Sequence, residues 1–266
     1  MGGTTPLSTA LFHPDGNAYV PTGLTEGPWD PNAQFGGSPA ALLATLVEQV
    51  PTLAVMQVAR FTVDLLRPVP LQPLVADVRV VREGKKIQVV AASLLADSTE
   101  VARSTALRLR LVDLGDRELP TGAADNPLPS LPRATDDEPF PEGRQPGSRR
   151  AVEYWLEEKG GYYSDPAWVR LRADVIAGQP ATPLARLAYV ADLASGIGVG
   201  RDLPVRGINA DLAINVVRYP RDEWLCLGGR GWISRHGIGQ VQATLSDTEG
   251  LAATVSMARL VDPAPD

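Results

Sequence analysis

Two acids stand at the same point of two similar apolar segments, Glu48 ten residues after Ser38 and Asp192 ten residues after Thr182. Each segment opens on a hydroxyl residue followed by proline, Ser38-Pro39 and Thr182-Pro183. That pair starts a helix: the hydroxyl accepts an orphan amide, and proline has no amide to satisfy and a preset φ. A carboxylate carried into an apolar helix is desolvated, which raises its pKa toward the range useful to a general base or a water-orienting group. The plainer alternative is a pair of salt-bridged or solvated acids at helix ends. Phe35-Gly36-Gly37 directly precedes the first helix. Its bare amides, at the positive end of the helix dipole, could meet a carbonyl oxygen, an oxyanion or a phosphate. A tight turn that needs glycine for its dihedrals is the competing reading.

Other reactive residues offer less. Cys226 lies between Leu225 and Leu227 in a strand-like run and reads as a small apolar filler. His13 and His236 stand apart from any Ser or Cys partner, and no Gly-x-Ser-x-Gly elbow occurs. With two histidines and one cysteine there is no metal-ligand spacing, so no metal and no cofactor is expected. Gly196-Ile197-Gly198-Val199-Gly200 follows a helix instead of a strand, so it reads as a glycine helix stop and not as a dinucleotide fingerprint. Asp211 begins a strand and is expected to cap or pair locally.

The elements that position these residues come in duplicate. Residues 61–112 and 212–263 align without a gap at an offset of 151, with identities such as Arg67/Arg218, Arg79/Arg230, Ala102/Ala253 and Arg108/Arg259. Leu74–Val81, Lys86–Ala96 and Val101–Leu111 alternate or run apolar as strands do, and the short turns between them imply antiparallel neighbours. Glu223–Ile233, Gly239–Ser246 and Leu251–Val261 repeat the arrangement. The helices Pro39–Val50 and Pro183–Ser195 are apolar over most of their circumference, which predicts burial. Between the copies, Val112–Arg150 carries seven prolines among Asp, Glu, Gly and Arg, too little apolar surface to offset its ordering entropy. The sequence therefore predicts an α+β chain with an N-terminal repeat over 1–112, an extended and partly mobile linker over 113–150, and a C-terminal repeat over 151–266. One buried helix wrapped by an antiparallel sheet, made twice, is a tandem hotdog with two sheets, and fused halves of this kind hold their site where they meet.

The totals exclude several classes. A net charge of −6 with no basic cluster gives no footprint for nucleic acid. The longest apolar runs, such as Ile87–Ala96, are far short of a membrane span. The first residues lack the basic and apolar regions of a signal peptide, and a single cysteine fits a reducing compartment, so a cytoplasmic protein is expected.

Phe35-Gly36-Gly37, Leu66-Arg67-Pro68, Arg82-Glu83-Gly84, Ala188-Tyr189-Val190-Ala191-Asp192 and Glu223-Trp224 occur in an order that resembles the acyl-CoA thioesterase II family. Asn209-Ala210-Asp211-Leu212 is most similar to its divergent actinobacterial branch. The resemblance covers most of the chain outside the linker. It implies a double hotdog that hydrolyses fatty acyl-CoA, without a cofactor, and that associates into dimers or larger even-numbered oligomers. It further implies a water held by a helix Asp, by a Thr or Ser at the start of the second sheet, and by a Gln in the last strand. Asp192 matches the first and Asn209 stands at the second. Ser256 or Met257 stands at the third, where neither supplies a carboxamide, and this departure implies weakened or lost catalysis. Gly36, Gly37, Glu48 and Met257 are the expected substrate contacts. A non-catalytic acyl-thioester binding protein of the same fold is the alternative. A hydratase ranks last, because neither histidine sits in the Asp/His motif it would need.

Overall fold

The computed structural model describes residues 9–28, 30–115, 130, 146–156, 166–196 and 205–263. The signal-peptide reading of the first residues, most of the expected linker and Ile197–Gly200 of the glycine run lie outside that set.

Helix α1 (Gly37–Glu48) is buried on all sides over Gly37–Val47, as its continuous apolar composition requires. It begins two residues before the expected start at Pro39, with Gly36 as a cap that offers no side-chain bond. The amide of Gly37 is instead accepted by the carboxylate of Asp192, so the cap comes from another helix. Helix α2 is a short turn (Gly147–Arg150) near the start of the second half. Helix α3 (Pro183–Leu193) starts where the sequence places it: Thr182 Oγ1 accepts from the Ala185 amide at 3.2 Å, and Pro183 occupies the first turn. The two helices run antiparallel, because Asp192 near the end of α3 meets the start of α1 while Glu48 at the end of α1 meets Thr182.

Around this pair, the strands of the first half are β3 (Met56–Leu65), β4 (Leu74–Arg82), β5 (Ile87–Ala96) and β6 (Thr99–Arg110). Their counterparts are β10 (Val205–Asn209) with β11 (Asp211–Val216), then β12 (Trp224–Ile233), β13 (Ile238–Asp247) and β14 (Gly250–Pro263). The spatial order β12-β13-β14-β11-β3-β6-β5-β4 is a palindrome about the β11–β3 pair. The halves are thus related by a pseudo-twofold axis through that pair. Strand β5 alternates between buried and partly exposed residues along its whole length, one face on the helices and one outward.

The expected pair of sheets is one. β3 and β11 pair antiparallel from Asp64↔Asp211 to Arg60↔Asn215, which joins the halves through backbone hydrogen bonds. Fourteen strands among the described residues form this single sheet. At one end it continues from β12 into β8 (Ala167–Leu171) and β7 (Val152–Leu156). At the other it continues from β4 into β2 (Ala18–Pro21), β1 (Ala10–Asp15) and β9 (Asp174–Ile176). Only Arg172 and Ala173 separate β8, next to last at one end of the order, from β9 at the other end, and both their amides reach Ala151 O. Two residues span roughly 10 Å, so the ends of the sheet meet and the ribbon closes around the helices. The β1–β9 pair is parallel, unlike the antiparallel pairs elsewhere among the described strands.

Candidate active site

Asp192 is 1% exposed, the penultimate residue of a helix whose neighbouring side chains are apolar. A carboxylate drawn this far out of bulk solvent needs donors from the protein. Asn209, the last residue of β10, donates from Nδ2 to Asp192 Oδ1 at 2.5 Å, and the Gly37 amide at the start of α1 supplies a second bond. Burial nevertheless dominates and lifts the carboxyl pKa from 3.8 to about 6, while Asn209 and then Gly37 pull against it. Near neutral pH this group is an anion with appreciable basicity.

The glycines are required by close approach. A Cβ on Gly36 would lie 3.0 Å from both carboxylate oxygens of Asp192 and 2.9 Å from Leu65 Cδ1. One on Gly37 would lie 2.8 Å from the Tyr189 carbonyl oxygen and 2.4 Å from the Phe35 ring. Phe35 and Tyr189 pack with ring centroids 5.3 Å apart, and the Tyr189 hydroxyl donates to Ser148 O at 3.0 Å, which fixes the entry into α1.

Asp192, Gly36 and Asn209 border a cavity of about 330 Å³ whose remaining wall is mostly apolar. The segment Leu65–Val69 forms one side, and Ile208 and Leu260 face it. Among the described residues, Arg67 and Asp30 are the charged ones on its border besides Asp192. An apolar slot that ends on a buried carboxylate, a carboxamide and a helix N-terminus suits a substrate with a hydrocarbon tail and an electrophilic carbonyl.

The structure brings together Asp192, Asn209, Gly36 and Gly37, and leaves the other three expected residues elsewhere. Ser256 stands opposite Ala213 and Gln242 on the half-exposed outer face of β14. Met257 faces inward and is 1% exposed, but it belongs to the core opposite Val241 and not to the cavity wall. The reason is the strand pairing: Asn209 stands opposite Arg259, two to three residues farther along β14. Glu48 is twelve residues from Gly36, roughly 18 Å along α1, and forms its own cluster with Thr182, Tyr219, Arg108 and Arg186. It is therefore not a contact of this cavity.

Arg259, opposite Asn209 in the strand register but not part of the cavity wall, was overlooked. It is buried beside Asn209 and lies against Gly207, where an added Cβ would meet Nη2 at 2.6 Å, and burial lowers its pKa. The signal was present, since a cation interrupts an apolar alternation at the same place in both copies, Arg108 and Arg259. Asp211 begins β11 as expected, but its partner is not local: Oδ1 accepts the amide of Ala258, on the neighbouring β14, at 2.6 Å. Cys226 is buried, and burial pushes its thiol up to about 12, which leaves it unreactive.

Comparison with known proteins agrees with this architecture. Solved structures with the same fold include a hot dog protein of unknown function from Alicyclobacillus acidocaldarius, 17% identical over 99% of this chain and 100% of that one, with a TM-score of 0.69. An acyl-CoA thioesterase II, TesB2, from Mycobacterium marinum is 19% identical over 94% of each chain, with a TM-score of 0.64. A tesB protein from Mycobacterium avium subs paratuberculosis is 16% identical over 96% of this chain and 97% of that one, at 0.60. No curated protein matches the sequence. Residues 25–109 match the model of the acyl-CoA thioesterase N-terminal domain, and residues 130–257 match that of the C-terminal domain. Both halves of the fold are thereby accounted for, and the chain belongs to the acyl-CoA thioesterase family.

Proposed function

We propose that this chain hydrolyses the thioester of fatty acyl-CoA to free acid and CoA, with Asp192 as general base. The observation that carries the reading is the Asp192 carboxylate, buried at the wall of an apolar cavity with a pKa lifted to about 6. One proton of the attacking water is accepted by Asp192. Because Asn209 presents Nδ2 to the carboxylate, its carbonyl oxygen is left to accept the other, which aims the water's lone pair at the carbonyl carbon. As the C–O bond forms, the proton passes to Asp192 and charge gathers on the carbonyl oxygen, where the Gly36 amide at the positive end of α1 opposes it. Collapse breaks the C–S bond, and the proton held by Asp192 goes to the departing thiolate. The acyl chain lies along the apolar wall near Leu65 and Ile208.

The same reading takes residues 1–112 and 151–266 as two hot dog repeats joined through 113–150, supported by the palindromic strand order. It places the protein in the cytoplasm, acting on a soluble acyl-CoA; among the described residues no helix is long and apolar enough to cross a membrane. It also carries association into even-numbered oligomers through isologous contacts. Light scattering tests the last point, and monomer alone at micromolar concentration would remove it.

A second reading, a binding protein that has lost the chemistry, draws on the last strand. That strand offers Leu260 to the cavity, while Ser256 and Met257 point elsewhere. Thiol release across a panel of acyl-CoA chain lengths separates the two. Release above background at a preferred length is expected; binding of acyl-CoA with no release would leave only the second reading.

A further inference from the structure

The Asp192 site has a counterpart at the opposite end of the helix pair. By the offsets of the two copies, Asp192 corresponds to Glu48, Asn209 to Val58, Arg259 to Arg108 and Pro68 to Tyr219. The strand registers agree. Asn209 stands opposite Arg259 and Val58 opposite Arg108, and each pair adjoins a one-residue irregularity, at Ala210 and at Ala59. The carboxylate again reaches the start of the other helix, where the Thr182 hydroxyl donates to Glu48.

One exchange differs sharply in volume. Pro68 borders the cavity at the Asp192 end, whereas the Tyr219 ring packs against the core at the Glu48 end. Its hydroxyl donates to Glu48 and accepts from the Val58 amide at 3.4 Å, the position that Asn209 holds in the open site. A phenol thus fills the space and takes the acid's hydrogen bond that a ligand or a water would take at the other end. Glu48 is steadied further by Arg108 and Arg186.

We propose that the Glu48 end is a second acyl-thioester cavity held shut by the Tyr219 side chain, so that each chain binds substrate at one end only. Val58 offers no carboxamide, so the opened cavity binds but does not turn over. The proposal rests on the acyl-thioester reading of the Asp192 end. Calorimetric titration with a non-hydrolysable thioether analogue of acyl-CoA tests both. One equivalent per chain is expected for the wild type, and two for Tyr219→Ala and for Tyr219→Pro, which copies Pro68. Gly36→Leu, which fills the open site, should bind none. Two equivalents in the wild type, one retained by Gly36→Leu, or one in a Tyr219 variant that keeps the native circular dichroism overturns the plug. No binding to the wild type overturns the reading of the Asp192 end itself.

Discussion

Asp192→Asn lowers thioester turnover at pH 8 by ~100–10,000-fold, the usual cost of losing a general base, while binding of a thioether analogue persists. The same variant unfolds at a higher temperature than the wild type above pH 7. Both effects share one cause. Burial lifts the carboxyl from 3.8 to about 6. Between those values the native state keeps a proton that the unfolded chain has released, so stability falls as pH rises through the window. Above about pH 6 the ionised carboxylate costs the fold roughly 3 kcal/mol. Asn carries no such cost but accepts at one oxygen where Asp accepts at two, so a net gain of roughly 1–3 kcal/mol remains. Paired melts at pH 4.5 and pH 8 should converge at the first and separate at the second. The wild-type kcat should fall about tenfold per pH unit below about 6, and that limb should be missing from whatever activity the variant retains. An unchanged turnover in the variant would remove Asp192 from the mechanism.

Arg108→Met destabilises the protein by roughly 3–5 kcal/mol, read as a shift in urea midpoint at constant slope. The Arg108 guanidinium is buried and serves the end of α1. Nη1 donates to Val50 O and to Gln88 Oε1, each at 2.7 Å, and Nη2 donates to Val47 O. Burial lowers its pKa, and the nearby Tyr219 and Glu48 pull it back. Methionine fills the volume but removes the cation near Glu48 and the guanidinium donors to Val50 O and Gln88 Oε1, while Val47 O keeps only its backbone amide. Arg108→Lys should recover part of the loss only, because a single ammonium cannot fork toward two carbonyls and an amide oxygen at once. A variant within 1 kcal/mol of wild type would mean that water replaces the guanidinium.

What could be read from the sequence was whatever local chemistry dictates. Thr182-Pro183 fixes the start of α3 through a cap and a preset φ, and the alternation of Ile87–Ala96 fixes which residues of β5 face the helices. Asp192 could be found because a carboxylate in an apolar helix needs a reason, and the repeat supplied its counterpart. What could not be read depends on pairings between distant segments. Nothing local to Arg60–Asp64 or Asp211–Asn215 says that these strands join, so one sheet looked like two. The irregularity at Ala210 sets Asn209 opposite Arg259, which leaves Ser256 and Met257, the positions that the resemblance implied for the third residue, two to three residues away along β14. Glu48 was correctly matched to Asp192 by position, yet the antiparallel packing of α1 against α3 sends equivalent residues to opposite ends. Ser38-Pro39 misled for a related reason: the cap on α1 is the Asp192 carboxylate, which no inspection of residues 36–40 reveals.

The closure of the sheet bears on the fate of the protein at high concentration. Left open, a ribbon of this length would end in two rows of unpaired amides and carbonyls, each a template for another chain. Here the terminal strands are among the shortest, five residues in β7 and three in β9. They are also drawn together at Arg172-Ala173, so that each obstructs approach to the other. A sheet rich in β-branched and apolar residues is thereby kept from growing by addition of foreign strands. The same device ties the second half to the first, because β9 belongs to the C-terminal half in sequence and finds its partner in the N-terminal one. Either half made alone would expose the very edges that the whole chain hides.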